Sequence, residues 1–174
     1  DRAVYLYGTG NGSPVLWKSM DSGNTFTARY VPKKIDEWLV VNDEELIIGC
    51  YDGTSALVYM SGDSGQTWFP GARAGKGIIT SIAVSPAYDR DGVILAGNAG
   101  GEVYCSEDSG VTFRLLPPDS ETSPVQGKVQ VAFDSGFTEN HIVYASGDAV
   151  NNGICRFAIG RSDEWEKIDG SLPE

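Results

Sequence analysis

The side chains in this sequence best suited to chemistry are carboxylates, and three of them sit in copies of one octet. Ser19-Met20-Asp21-Ser22-Gly23-Asn24-Thr25-Phe26 returns as Ser61-Gly62-Asp63-Ser64-Gly65-Gln66-Thr67-Trp68, and again as Ser106-Glu107-Asp108-Ser109-Gly110-Val111-Thr112-Phe113. As chemistry, such an aspartate is a metal ligand or a catalytic acid. As structure, it accepts backbone N–H bonds from its own turn. Three near-identical copies at separate places cannot all be one active site, so the structural reading is preferred. In it Gly23, Gly65 and Gly110 supply a positive φ. Thr25, Thr67 and Thr112 start the next strand, and Phe26, Trp68 and Phe113 offer an apolar face to pack beneath.

The remaining candidates stand alone. Asp52 and Asp148 occupy loops after second strands of different repeats, and could face a shared cleft as the paired carboxylates of a glycoside hydrolase do. The preferred alternative is that each caps its own glycine-containing turn. Tyr51 is a nucleophile candidate with no partner beyond the adjacent Asp52. Asp89-Arg90-Asp91-Gly92 has half the look of a calcium loop but lacks the other ligands and the distal Glu. His141 is the one histidine, with no Ser or Cys partner nearby, which excludes a nucleophilic triad within the chain. Cys50, Cys105 and Cys155 show no CxxC spacing, which argues against zinc, and read as small buried hydrophobes. Cys105 and Cys155 lie two residues out of register in neighbouring repeats, which weakens a disulfide between them. No catalytic residue, metal or cofactor is assigned.

What must position these residues is a repeat. The aspartates at 21, 63 and 108 fall 42 and 45 residues apart, and a period in the forties with apolar runs between copies marks a repeat architecture. Aligned on the octets, the first unit has strands Ala3–Tyr7, Val15–Ser19 and Thr25–Val31, and lacks an opening strand. The second has Glu37–Val41, Glu45–Cys50, Ala56–Ser61 and Thr67–Pro70. The third has Ile79–Val84, Val93–Gly97, Glu102–Ser106 and Val111–Leu116. The fourth has Lys128–Phe133, His141–Ser146, Gly153–Ala158 and Glu164–Ile168, with a drifted octet that keeps only its aromatic, Trp165. A second repeated segment aligns Ile82–Gly97 with Val131–Ser146 and matches Tyr88 to Phe137, an aromatic expected to plug the space between neighbouring units. No segment has a helical period, so almost no helix is expected.

The octets resemble the Asp-box, or BNR repeat, of sialidases, xyloglucanase-type endoglucanases, sortilin-like receptors and photosystem assembly factors. The resemblance is close over the three octets and weaker elsewhere. It implies an all-β protein, a β-propeller or a sector of one, with about four four-stranded antiparallel blades. Each box would lie between the third and fourth strands of its blade, away from the ligand-binding face. The blades are expected at about 1–34, 35–75, 76–120 and 121–174, in one domain. Asp-box propellers are generally larger, so the sequence reads as a piece of a longer protein. A ring closed by self-association and a small closed ring are the alternatives. Any site is expected on the opposite loop face, at Thr9–Pro14, Asp52–Ser55, Asn98–Gly101 and Gly147–Asn152 with Pro32–Asp36, Gly71–Gly77 and Pro117–Gln126. A sialidase would need a three-arginine cluster and an Arg-Ile-Pro segment. The segment is absent, and the arginines at 2, 29, 73, 90, 114, 156 and 161 are scattered.

The net charge of −11, from 13 basic and 24 acidic residues, argues against a nucleic-acid partner, whose phosphates would be repelled. No apolar run is long enough for a membrane span. The functional expectation is a non-catalytic scaffold or recognition module, extracellular, periplasmic or at a cell surface, presenting its loop face to a protein or glycan. The alternative is part of a secreted glycoside hydrolase, xyloglucanase-like or sialidase-like, with catalytic residues partly outside this chain.

Overall fold

The computed structural model describes residues 3–118, 123–149 and 153–168. The chain folds into four antiparallel meanders, each with its strands in sequence order. The first sheet contains β1 (Val4–Gly10), β2 (Ser13–Ser19) and β3 (Thr27–Arg29). The second contains β4 (Glu37–Val40), β5 (Leu46–Tyr51), β6 (Ala56–Ser61) and β7 (Ala72–Arg73). The third contains β8 (Ile79–Val84), β9 (Ile94–Asn98), β10 (Val103–Ser106) and β11 (Arg114–Leu115). The fourth contains β12 (Val129–Phe133), β13 (Ile142–Gly147), β14 (Ile154–Ala158) and β15 (Glu166–Lys167). This is a β-propeller sector of four blades, the first lacking one strand.

Side chains alternate across a strand, and each middle blade uses both of its faces. Ile48 of β5 packs with Tyr5 and Leu16 of the first sheet, while its neighbour Ile47 packs with Ile79 and Ile94 of the third. Likewise Ile94 belongs to that second core, and Leu95 to a third core with Val129, Val143 and Phe157. Strands β5 and β9 are therefore apolar runs buried on both sides. Three cores join consecutive blades; among the described residues none joins the fourth sheet to the first.

Two features refine the sequence expectation, the first in keeping with almost no helix. The aligned loops each contain a single helical turn, α1 (Tyr88–Asp91) and α2 (Phe137–Asn140), too short to show a period. Each ends in a left-handed residue, Gly92 and His141, whose N–H closes the turn on the carbonyl of Tyr88 or Phe137. The matched aromatics do reach the preceding blade. Phe137 is buried in the core shared with the third sheet, and the Tyr88 hydroxyl donates to Glu45 of the second at 2.7 Å. The outer strands are also shorter than expected, and in the second blade the strand lies at Ala72–Arg73, not Thr67–Pro70. Thr67 is held by its own turn, Pro70 has no N–H to pair, and Gly71 passes directly beneath the Tyr59 ring.

Candidate functional site

The octets are hydrogen-bonded turns built from the same four groups each time. The Ser hydroxyl (Ser19, Ser61, Ser106) accepts the N–H of the octet glycine at 2.8 Å in all three copies and donates to the aspartate at 2.7–2.9 Å. Thr25, Thr67 and Thr112 donate N–H and O–H to the two oxygens of that aspartate at 2.6–2.9 Å. The threonines thus close the turn and do not start the following strand. Bonds from Thr25 and Thr67 hold Asp21 and Asp63 down at about 2. At Asp108 partial burial pushes upward, but the Thr112 and Ser106 bonds outweigh it and the net direction is down. Both oxygens of each aspartate are thus engaged by the turn itself.

In the second, third and fourth units the octet aromatic ties its blade to the one before. Trp68 Nε1 donates to the Tyr30 carbonyl at 2.8 Å, and Trp165 of the drifted fourth unit donates to the Leu116 carbonyl at 2.9 Å. Phe113 packs on the core shared with the second blade. Phe26 meets no neighbouring blade among the described residues and is exposed, against the expectation that every octet aromatic is packed.

The loop-face candidates are placed separately. Asp52 Oδ1 accepts the N–H groups of Thr54 and Ser55 at 2.9 and 2.8 Å, which lowers its pKa, the Ser55 bond contributing most. Asp148 Oδ1 accepts the Lys128 N–H at 2.7 Å and so ties β13 to the start of β12. The first belongs to the second blade and the second to the fourth, with the third blade between. The Tyr51 hydroxyl donates to the Gly53 carbonyl at 2.9 Å. Asp91 of the half-calcium-like segment accepts from Ser85 and from the Val93 N–H. Among the described residues no three His, Cys, Asp or Glu side chains cluster as metal ligands. Residues 119–122 and 150–152 of the loop face, and Arg2, lie outside the described residues.

A further concavity opens on the other face. Between the second and third blades, at their octets, lies a groove of about 700 Å³ lined by Glu45, Met60, Ser61, Gly62, Phe69, Pro70, Tyr88, Asp89, Ser109, Gly110 and Val111. Three of these sit where the repeats disagree. At the second octet position Met20 and Glu107 are replaced by Gly62, whose missing side chain leaves the mouth open. At the sixth, Asn24 and Gln66 each turn an amide back onto the aspartate carbonyl, but Val111 has no amide and is 73% exposed. Just past the octet, Thr27 and Arg114 are matched by Phe69, 66% exposed. Apolar residues exposed singly are ordinary; here two of them, Phe69 and Val111, converge with Gly62 on one cavity. On the polar side, Glu45 receives the Tyr88 hydroxyl, and burial together with that bond raises the phenol's pKa. Asp89 is exposed and makes no ion pair among the described residues. These lining residues were legible only as breaks in the repeat.

No family model matches the sequence, and no curated protein matches it. Among solved structures the chain is similar to the GH74 xyloglucanase from Xanthomonas campestris, at 19% identity and TM-score 0.65, over 98% of this chain and 29% of that one. It is similar to an ancestral GH74 enzyme at 20% identity and TM-score 0.60, over 90% and 21%. It is similar to YCF48 bound to D1 peptide at 12% identity and TM-score 0.59, over 88% and 47%. At these identities the likeness shows the fold, a β-propeller, and the chain spans less than half the length of each structure.

Proposed function

We propose that this chain is a non-catalytic recognition module of an Asp-box propeller, acting outside the cytoplasm, and that it takes its protein or glycan ligand in the groove between the second and third blades. The observation that carries this reading is the convergence of Gly62, Phe69 and Val111, each a departure from its repeat, on that one cavity. A structural neighbour, YCF48, carries a bound peptide, which is compatible with such a role. Phe26 and the outward-facing Leu6 are exposed where every later blade is covered by its neighbour. Further blades, as in the longer neighbours, are the proposed cover.

The second reading, part of a glycoside hydrolase, draws support from the GH74 neighbours. It is weaker because a general acid needs a raised pKa, and Asp52 is shifted the other way. Binding and hydrolysis of xyloglucan oligosaccharides, and binding of a peptide panel, separate the two. Binding abolished by Phe69→Ser with Val111→Asn and kept by Asp52→Asn with Asp148→Asn supports recognition in the groove. Hydrolysis that depends on Asp52 or Asp148 would establish the enzyme instead.

A further inference from the structure

Resting on the reading of the groove as a recognition site, we infer that its ligand is a peptide segment presenting an apolar side chain next to a lysine or arginine. The first junction of this same chain shows how the corresponding space is filled. There Lys18, the residue before the first octet, lays its stem between the blades and is 6% exposed. Its ammonium donates to the Asp43 carbonyl at 2.5 Å and to Ser64 Oγ at 2.7 Å, and Arg29 Nε donates to the Ser64 carbonyl at 3.2 Å. Ser64 is buried beneath them.

The second junction keeps the same frame. Ser64 N–H donates to the Glu44 carbonyl at 2.7 Å, and its counterpart Ser109 donates to the Gly92 carbonyl at 3.1 Å. Its cations are gone: Met60 stands where Lys18 does, and among the described residues no basic side chain is hydrogen-bonded to Ser109. Ser109 is accordingly exposed.

What remains is a wall rich in acceptors and without a cation, in which Glu45 already takes the Tyr88 hydroxyl and an Asn42 amide hydrogen. Glu45, Asp89 and the Ser109 hydroxyl line the groove beside Met60, Phe69 and Val111, and no Lys, Arg, Asn, Gln or Trp lines it. A glycan's hydroxyls want donors as well as acceptors, whereas a basic side chain wants acceptors only. A neighbouring apolar side chain would occupy the Phe69 and Val111 wall. The net charge of −11 favours encounter with a cationic segment.

The test is fluorescence anisotropy with three labelled Gly/Ser-flanked peptides, carrying Leu-Arg, Leu-Gln or Ser-Arg at the centre. Leu-Arg should bind about tenfold or more tightly than either single replacement, with affinity falling as salt rises. Asp89→Asn should weaken Leu-Arg and leave Leu-Gln unchanged, and Phe69→Ser with Val111→Asn should weaken Leu-Arg and Leu-Gln alike. All three positions are exposed, so an unchanged melting temperature checks the fold. Equal binding of Leu-Arg and Leu-Gln, or indifference to Asp89, overturns the cationic assignment. If no peptide binds but a xyloglucan oligosaccharide does, in a manner sensitive to Phe69, this inference fails while recognition in the groove stands. If neither binds, both fail.

Discussion

Gly49 of the second blade lies so close to Ile79 of the third that a β-carbon on it would sit 2.7 Å from the Ile79 Cβ and Cγ2. Gly97 repeats the relationship one blade later, 2.9 Å from the Val129 Cβ by the same measure. These second-strand glycines let the inner strand of the next blade approach, and so set the spacing between blades. Gly49→Ala should overpack this contact and destabilise the fold by about 1–3 kcal/mol in chemical denaturation. Gly62→Ala is the control. A β-carbon there meets nothing within 4 Å, and the change should stay within about 0.5 kcal/mol.

The octet turn hangs on one buried hydroxyl. Ser61 is 1% exposed, accepts the Gly65 N–H and donates to Asp63. Ser61→Ala leaves the buried Gly65 N–H without its acceptor, and should cost about 1–3 kcal/mol. Thr67→Val, on the exposed rim of the same turn, should lower the melting temperature less. A larger loss at Thr67 than at Ser61 would mean that the aspartate and not the serine organises the turn.

Acid should unfold the protein through the same turns. Asp21 and Asp63 are held near 2 from the usual 3.8. A lowered folded-state pKa contributes stability that is fully present above the unfolded value and is lost as pH falls through the folded one. Stability should therefore drop between about pH 4 and 2. Asp63→Asn should be less stable than the parent at pH 7, with the gap closing towards pH 2. Equilibrium unfolding at a series of pH values measures it, and a constant gap would show that ionisation of Asp63 is not what the turn uses.

Much of this architecture could be read from the residues, because a repeat prints its local chemistry several times. The 42- and 45-residue spacing located the blades, Gly23, Gly65 and Gly110 do take positive φ, and the Tyr88 and Phe137 match located the inter-blade plugs. What could not be read depends on neighbours distant in sequence. Ser22, Ser64 and Ser109 also take positive φ, although nothing in serine asks for it. The role of each threonine is settled by an aspartate four residues back and not by strand preference. The groove arises only when Phe69 of one blade meets Val111 of the next, and neither segment alone marks that meeting.

The first junction offers a converse test of the same comparison. Lys18→Met installs there the residue that the second junction carries, and removes the donor from the Asp43 carbonyl and Ser64 Oγ. The Asp43 carbonyl keeps the Tyr5 hydroxyl at 2.7 Å and Ser64 Oγ still donates to it at 3.2 Å, so what is lost is the one charged donor the two share. The variant should lose about 1.5–3 kcal/mol, the range for a hydrogen bond to a charged group. If stability is unchanged, the Lys18 contacts are incidental, and the parallel between the two junctions weakens with them.

The cysteines give a readout of blade packing. Cys50, Cys105 and Cys155 are all buried and none is in a disulfide. Burial pushes the Cys50 and Cys105 thiols up to about 12, with nearby carboxylates adding to it. The thiolate is the reactive species, so at pH 8 a thiol reagent should meet almost none of it at Cys50 and Cys105 while the blades stay stacked. Both should label no faster than the protein opens, and at once in denaturant. Because Cys50 lies in the core between the first and second blades and Cys105 in that between the third and fourth, site-resolved labelling by mass spectrometry would show which junction opens first. Cys50 reacting ahead of Cys105 would place the weaker seam between the first two blades, and rapid labelling of either in native buffer would overturn the packing described for that core.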